Sequence, residues 1–220
     1  MEASTVTRDP ATGRLKDTPR EAEQEREPTS SGFNVADPGP LGLAAFALTT
    51  FVLSMFNAGI LDEAGEPVVL GLALAYGGLA QLLAGMWEFR TGNTFGAVAF
   101  TSYGAFWLSF FAYVQFFEKD VASSAAAQAV GVYLVAWGIF TTYMFIASLR
   151  TTGAIALVFA LLATTFLLLG IGDWTETTGI TKAGGFVGIA TAIAAWYGSF
   201  AAVTNSTFGR TVLPVKPLNG

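Results

Sequence analysis

Residues 38–61 read PGPLGLAAFALTTFVLSMFNAGIL, 24 residues without an Asp, Glu, Lys or Arg. A helix crosses the hydrocarbon core of a bilayer with about 20 apolar residues, so this stretch is long enough to span. Five more intervals share the property: 67–87, 91–117, 121–149, 151–172 and 183–209, of 21, 27, 29, 22 and 27 residues. Membrane strands would need only about 10 residues each and would alternate in polarity, which none of these runs does. Inside lipid the backbone must satisfy its own hydrogen bonds within the segment. The sequence therefore predicts an all-α, polytopic membrane protein with six transmembrane helices, near 40–61, 67–88, 95–117, 126–149, 152–172 and 183–204.

Composition agrees. Hydrophobic residues make up 53% of the 220 and charged residues 12%, against about 25% charged in soluble domains. The chain has no Cys and no His. That removes thiolate nucleophiles, disulfides, most zinc and haem sites and the usual near-neutral proton shuttle. No cofactor or metal is expected, and an enzyme is not. The net charge of −5 argues against a nucleic-acid partner.

Residues 1–36 are a different material. RDPATGRLKDTPREAEQEREPTSSG (8–32) is charged, rich in Pro, Ser and Thr, and poor in apolar side chains. Such a segment buries too little to offset its ordering entropy, so a disordered tail is expected. It lacks the apolar core of a signal peptide. The predicted organisation is a tail over 1–36, a transmembrane domain over 37–214 and a short C-terminal tail over 215–220.

Lys and Arg set the expected orientation. With both termini in the cytoplasm of a plasma (inner) membrane, nine basic residues fall inside, among them Arg90, Arg150, Arg210 and Lys216. Only Lys119 and Lys182 fall outside. Seven carboxylates accompany them there: Asp62, Glu63, Glu66, Glu118, Asp120, Asp173 and Glu176.

Within the spans, small residues recur four apart: Gly184, Gly188 and Ala192; Ala97, Thr101, Ala105 and Ser109; Gly77, Gly78 and Gly85. Such faces let helix backbones approach closely in lipid, and plain packing accounts for most of them. Polar residues say more. Phe46, Thr49, Thr50 and Asn57 share a broad face of the first span, and Gln81 and Glu88 fall on the glycine stripe of the second. Buried amides and carboxylates in lipid face the bundle interior or water. Interhelical hydrogen bonding is as good a reading of Asn57 and Gln81 as a solute path. Glu88 lies at a membrane end beside Arg90, where an ion pair competes with a transport role. Tyr103, mid-span, needs a partner for its hydroxyl; it reads either as a tyrosine closing a narrow polar path or as a hydrogen-bonded packing tyrosine. Trp87, Trp174 and Tyr113 suit the interfacial belts. GNTFG (92–96) and NSTFGR (205–210) resemble each other and end even-numbered spans on one side.

DPGPLGL (37–43), followed by AAFALTTFVLSMFNAG, resembles the first-helix signature of the acetate uptake transporter family, whose motif is Asn-Pro-Ala-Pro-Leu-Gly-Leu. YGGLAQLLAGMWEFRTGNTFGAVAFTSYGAFWLSF (76–110), GVYLVAWGIFTTYMF (131–145) and FGRTVLP (208–214) extend the likeness in order over about 37–214. The resemblance implies a six-helix protomer with its own path, assembled as a homo-hexamer in the lipid bilayer. It implies passage of acetate and other small monocarboxylates, in some members succinate. It places a constriction on Phe46, Tyr103 and Leu162. Donors from Thr49, Thr50, Asn57, Gln81, Thr101 and the Tyr103 hydroxyl would line the path, with Glu88 and Asp37 as proton or mouth sites. Asp37 stands where the motif has Asn, and Gly39 where it has Ala. Channel and proton-coupled carrier both remain open, as does another small solute such as ammonia, or a membrane protein that transports nothing.

Overall fold

The computed structural model describes residues 35–218; all but the last two residues of the expected N-terminal tail lie outside the described residues. Six helices are long and apolar enough to cross a membrane: α1 Gly39–Asn57, α2 Val68–Thr91, α3 Thr94–Asp120, α4 Ser123–Ser148, α5 Gly153–Trp174 and α6 Thr178–Phe208. No strand occurs among the described residues, and the chain is a multi-pass membrane protein. The ends depart from the predicted spans for local reasons. α1 stops at Asn57 because the chain turns at Gly59, at φ +68°, a conformation that suits glycine. α6 begins earlier and ends later than the 183–204 predicted, running to a left-handed Gly209 at φ +62°.

The entry to α1 is built by side chains. The Gly39 N–H donates to Asp37 Oδ1 at 2.8 Å, and Pro40 sits in the first turn, where its missing N–H costs nothing. An Asn would offer the same Oδ1, so the departure at position 37 keeps the turn. The two similar motifs do different work. In GNTFG, Gly92 closes α2 at φ +80° and Asn93 caps α3, its Oδ1 accepting from the Gly96 N–H at 3.1 Å. In NSTFGR, Asn205 is in the last turn of α6, and its Oδ1 accepts from the Val212 and Leu213 N–H groups at 2.7 and 2.9 Å.

Residues 215–218 of the expected C-terminal tail lie against the α4–α5 turn. The Gly153 and Ala154 N–H groups donate to the carbonyls of Lys216 and Val215 at 2.7 and 3.3 Å, and the Leu218 N–H donates to the Thr151 carbonyl at 2.9 Å. The first two bonds supply acceptors to the first turn of α5, whose N–H groups have no partner within the helix.

α1 packs against α2, α3 and α6, and the ring continues through α5 to α4. Glycines permit the closest approaches. A Cβ at Gly185 of α6 would overlap the backbone at Ala58, and one at Gly85 of α2 would overlap the Thr101 backbone of α3. The ring is loosest between α3 and α4, whose backbones stay apart along most of their length; aromatic side chains fill that seam. The predicted small-residue face of α3 is only half used for packing: Ala97 is buried, while Ala105 and Ser109 are exposed. Large apolar residues point outward, including Leu79 and Met86 of α2, Ile139 and Ile146 of α4, and Phe186 and Phe200 of α6. That distribution inverts a soluble protein and suits lipid contact. Trp87 and Trp174 are exposed near helix ends.

Candidate functional site

Helices α1 to α5 enclose a cavity of about 590 Å³ that opens on the face carrying the α1–α2 loop. Its depth is graded. Glu63, Glu66, Glu118 and Asp173 line the mouth, and Phe46, Leu162 and Phe166 line the region at mid-helix depth. One stripe of α1 runs down the wall: Asn57, Ser54, Thr50 and Phe46, at helical spacings that stack on one face. Opposite it stand Phe106, Trp107 and Phe110 of α3, Tyr133 of α4 and Thr165 of α5. No Lys or Arg is among the lining residues.

The polar groups of the wall differ in what they have left to offer. Thr165 Oγ1 donates to the Leu161 carbonyl at 2.9 Å and lies 3.1 Å from Thr191 Oγ1, so it is satisfied. The Tyr133 hydroxyl meets Ser109 Oγ at 2.7 Å and the Phe106 carbonyl at 3.2 Å. Thr50 Oγ1 and Trp107 Nε1 are buried without a protein partner. Buried polar atoms are nearly always paired, to protein or to a bound molecule. Both atoms belong to residues of the cavity wall, and neither is spent on the protein.

Burial pushes the Glu66 carboxyl above the ordinary carboxylate range, and the nearby charges of Glu63, Glu118 and Asp173 push it the same way. The mouth is thus lined with carboxyl groups, and Glu66 is held toward its protonated form.

The residues predicted from sequence divide into two sets. Phe46, Thr50, Asn57 and Leu162 line the cavity. Tyr103 lies behind it: its ring is 5.9 Å from Phe46 and 6.4 Å from Phe166, and the residue is buried. Its hydroxyl is already engaged with Thr141 Oγ1 at 2.9 Å, so it is not the free donor that the sequence suggested. Thr49, Gln81, Thr101 and Glu88 are not among the cavity-lining residues and belong to the seam of α1, α2 and α3. Thr49 Oγ1 donates to the Ala45 carbonyl at 3.0 Å and packs on Gly77; one residue of helical rotation turns it from the cavity that Thr50 faces. Thr101 packs on Gly85, between Gln81 and Glu88 along the α2 stripe. Oxygens of Gln81, Thr101 and Glu88 are buried without partners, which sets aside interhelical bonding by the Gln81 carbonyl. Glu88 Oε2 accepts from the Thr91 hydroxyl at 3.1 Å, and Arg90 is exposed. Asp37 is spent on the α1 turn.

Residues 23–220 match the GPR1/FUN34/yaaH family. The chain belongs to this family. It is 43% identical over 195 residues to acetate permease A of Emericella nidulans, covering 82% of this chain and 65% of that protein. It is 40% identical over 181 residues to the succinate-acetate/proton symporter SatP of Escherichia coli, covering 82% of this chain and 95% of that one. Its fold matches the structure of the bacterial acetate channel SatP with a TM-score of 0.78 at 40% identity, over 83% of this chain and 99% of that chain. The chain spans 61 to 65% of the length of the first fungal relatives it matches.

Within this GPR1/FUN34/yaaH chain, sequence reasoning missed Ser54, Trp107 and Phe166. Each lies one helical turn from a residue it did select: Ser54 from Thr50, Trp107 from Tyr103, Phe166 from Leu162. Extending each selected face by four residues would have found them.

Proposed function

We propose that this chain passes acetate and other small monocarboxylates across a membrane, succinate among the candidates. One observation carries the reading. A cavity of about 590 Å³ with no basic side chain runs from carboxylates at the helix ends to Phe46, Leu162 and Phe166 at mid-helix depth. Conduction requires binding weak enough to release. A carboxylate met by the Thr50 hydroxyl and Trp107 N–H, rather than by a fixed cation, is held in that range. The apolar inner end suits a methyl group and excludes a hydrated ion. Tyr103 completes the constriction from behind by holding Phe46 and Phe166 in place. The relatives, an acetate permease, a succinate-acetate/proton symporter and an acetate channel, support the same substrate class.

The acidic mouth bears on the form that crosses. Carboxylates at Glu63, Glu66, Glu118 and Asp173 disfavour a free anion and raise the local proton concentration, so acetate enters accompanied by a proton. In this reading the protomer is one unit of a homo-hexamer in the plasma membrane, with both termini cytoplasmic and the mouth outside. Acetate uptake into proteoliposomes, with and without an inward proton gradient, tests it. Uptake is expected to rise with the gradient and to be competed by succinate but not by ammonium. No acetate flux, or competition by ammonium alone, would overturn the assignment.

A further inference from the structure

The geometry points to Thr141 of α4 as the residue that fixes the aperture of the constriction, acting through Tyr103. The inference rests on the transport reading above and adds a positioning residue that the constriction itself does not contain. The Tyr103 ring is surrounded by aromatic rings at centroid distances of 5.4 to 6.4 Å: Phe46 of α1, Trp137 and Phe140 of α4, and Phe159 and Phe166 of α5. Contacts between rings are adaptable, since several tilted and offset arrangements have similar energy. They keep neighbouring rings in contact but let the cluster shift as a whole. A hydrogen bond anchors it, because it weakens steeply with angle and distance.

Tyr103 makes one such bond, and the next bond along α4 fixes its polarity. Thr141 Oγ1 donates its single proton to the Trp137 carbonyl at 2.7 Å. It therefore accepts from Tyr103, at 2.9 Å. The chain Tyr103 O–H to Thr141 O–H to the Trp137 carbonyl is closed, with every proton placed and both side chains buried. In surroundings this apolar, such a chain strengthens along its length.

Its location makes it matter. α3 and α4 form the loosest seam of the ring. Tyr103 to Thr141 is a polar bridge across that seam at the depth of Phe46 and Leu162. A second bridge, Ser109 and the Phe106 carbonyl to Tyr133, lies nearer the mouth. Without Thr141 Oγ1, the Tyr103 hydroxyl would be left unpaired in an apolar setting, which is costly. The ring would shift to find another partner, and Phe46 and Phe166, which pack against it, would follow. Thr141 thereby sets how large a solute passes.

The test compares fluxes of labelled acetate and lactate in proteoliposomes for Thr141→Val, Thr141→Ser, Tyr103→Phe, the Tyr103→Phe/Thr141→Val double variant and Ser109→Ala. Val keeps the shape of Thr and removes the hydroxyl, whereas Ser keeps the hydroxyl. Thr141→Val and Tyr103→Phe are each expected to raise the lactate-to-acetate ratio roughly five- to tenfold, the factor set by one neutral hydrogen bond. The double variant should go no further than either single one. Thr141→Ser and Ser109→Ala should keep the wild-type ratio, the latter because it loosens the same seam away from the constriction. An unchanged ratio in Thr141→Val, or additive effects in the double variant, overturns the proposal. If Thr141→Val does not fold, an unchanged ratio in Tyr103→Phe overturns it equally. A second readout needs no transport. The resonance Raman difference between wild type and Tyr103→Phe isolates the Tyr103 hydroxyl. The same difference taken in the Thr141→Val background must show it no longer donating. An unmoved signal also overturns the proposal, while a wild type that passes no acetate overturns the transport reading instead.

Discussion

Replacing Leu162 by Ala is expected to open the constriction to larger monocarboxylates. Leu162 is 3% exposed and lines the inner end of the cavity, one helical turn from Phe166 and in the same buried cluster as Phe46. Truncation removes three carbons from the cavity wall at the proposed constriction. Lactate exceeds acetate by two heavy atoms, so the space released matches the space required. One methylene of steric mismatch in an apolar site is worth about 1–3 kcal/mol, and the lactate-to-acetate flux ratio should rise roughly tenfold or more. The stability cost is at the low end for a buried Leu, about 2 kcal/mol, because one side of Leu162 already faces open space. Proteoliposome uptake of labelled lactate and acetate, with elution profile and thermal midpoint in detergent as controls, gives both numbers. A ratio that stays at the wild-type value in well-folded protein would refute the placement of Leu162 at the constriction. A ratio unchanged only because Phe166 swings into the vacated volume would be exposed by Leu162→Ala/Phe166→Leu, which must then open the path.

Three further outcomes are expected. The Glu66 carboxyl is raised, so the folded state holds its proton more tightly than the unfolded state does; the folded state gains stability as pH falls from the folded value toward the ordinary Glu range near 4.5 and loses it when Glu66 ionises at higher pH. Glu66→Gln should flatten that part of the pH dependence of the thermal midpoint; an unaltered pH profile would count against Glu66. Gly85→Val forces a side chain into the Thr101 backbone and should cost about 1–3 kcal/mol, read as a lower thermal midpoint; an unchanged midpoint would show that α2 and α3 are not packed as described. Asp37→Asn retains the acceptor for the Gly39 N–H and should be close to neutral, whereas Asp37→Ala should lose about 1 kcal/mol; equal midpoints for the two would remove the turn from the account of α1.

The six spans were legible because lipid imposes one strong rule, about 20 uncharged residues per crossing, and charged punctuation obeys it. The ends were less legible because caps decide them. The turn at Gly59 ends α1 inside an apolar run that continues to Leu61, and nothing in hydropathy marks that stop. The C-terminal strap was invisible for a related reason: it is held by backbone groups of Gly153, Ala154 and Leu218, which carry no side-chain signature.

The lining of the cavity was half legible, and the missing half has a physical cause. In a soluble protein a polar residue inside marks function, because packing faces are apolar. In a membrane protein helix seams also use small and polar residues, so Thr49 and Thr50 look alike in sequence. Only their partners separate them: Thr49 returns its hydroxyl to the Ala45 carbonyl and packs on Gly77, while Thr50 lines the cavity with its hydroxyl unpaired. The same test sorts the aromatic residues. Tyr103 reads as a polar gate, yet its proton is committed across the seam to Thr141. Trp107, one turn along the same helix, has an N–H to spare. What identifies a pathway residue in lipid is therefore an unspent hydrogen-bonding group on a cavity wall, a property of three-dimensional pairing that no one-dimensional pattern carries.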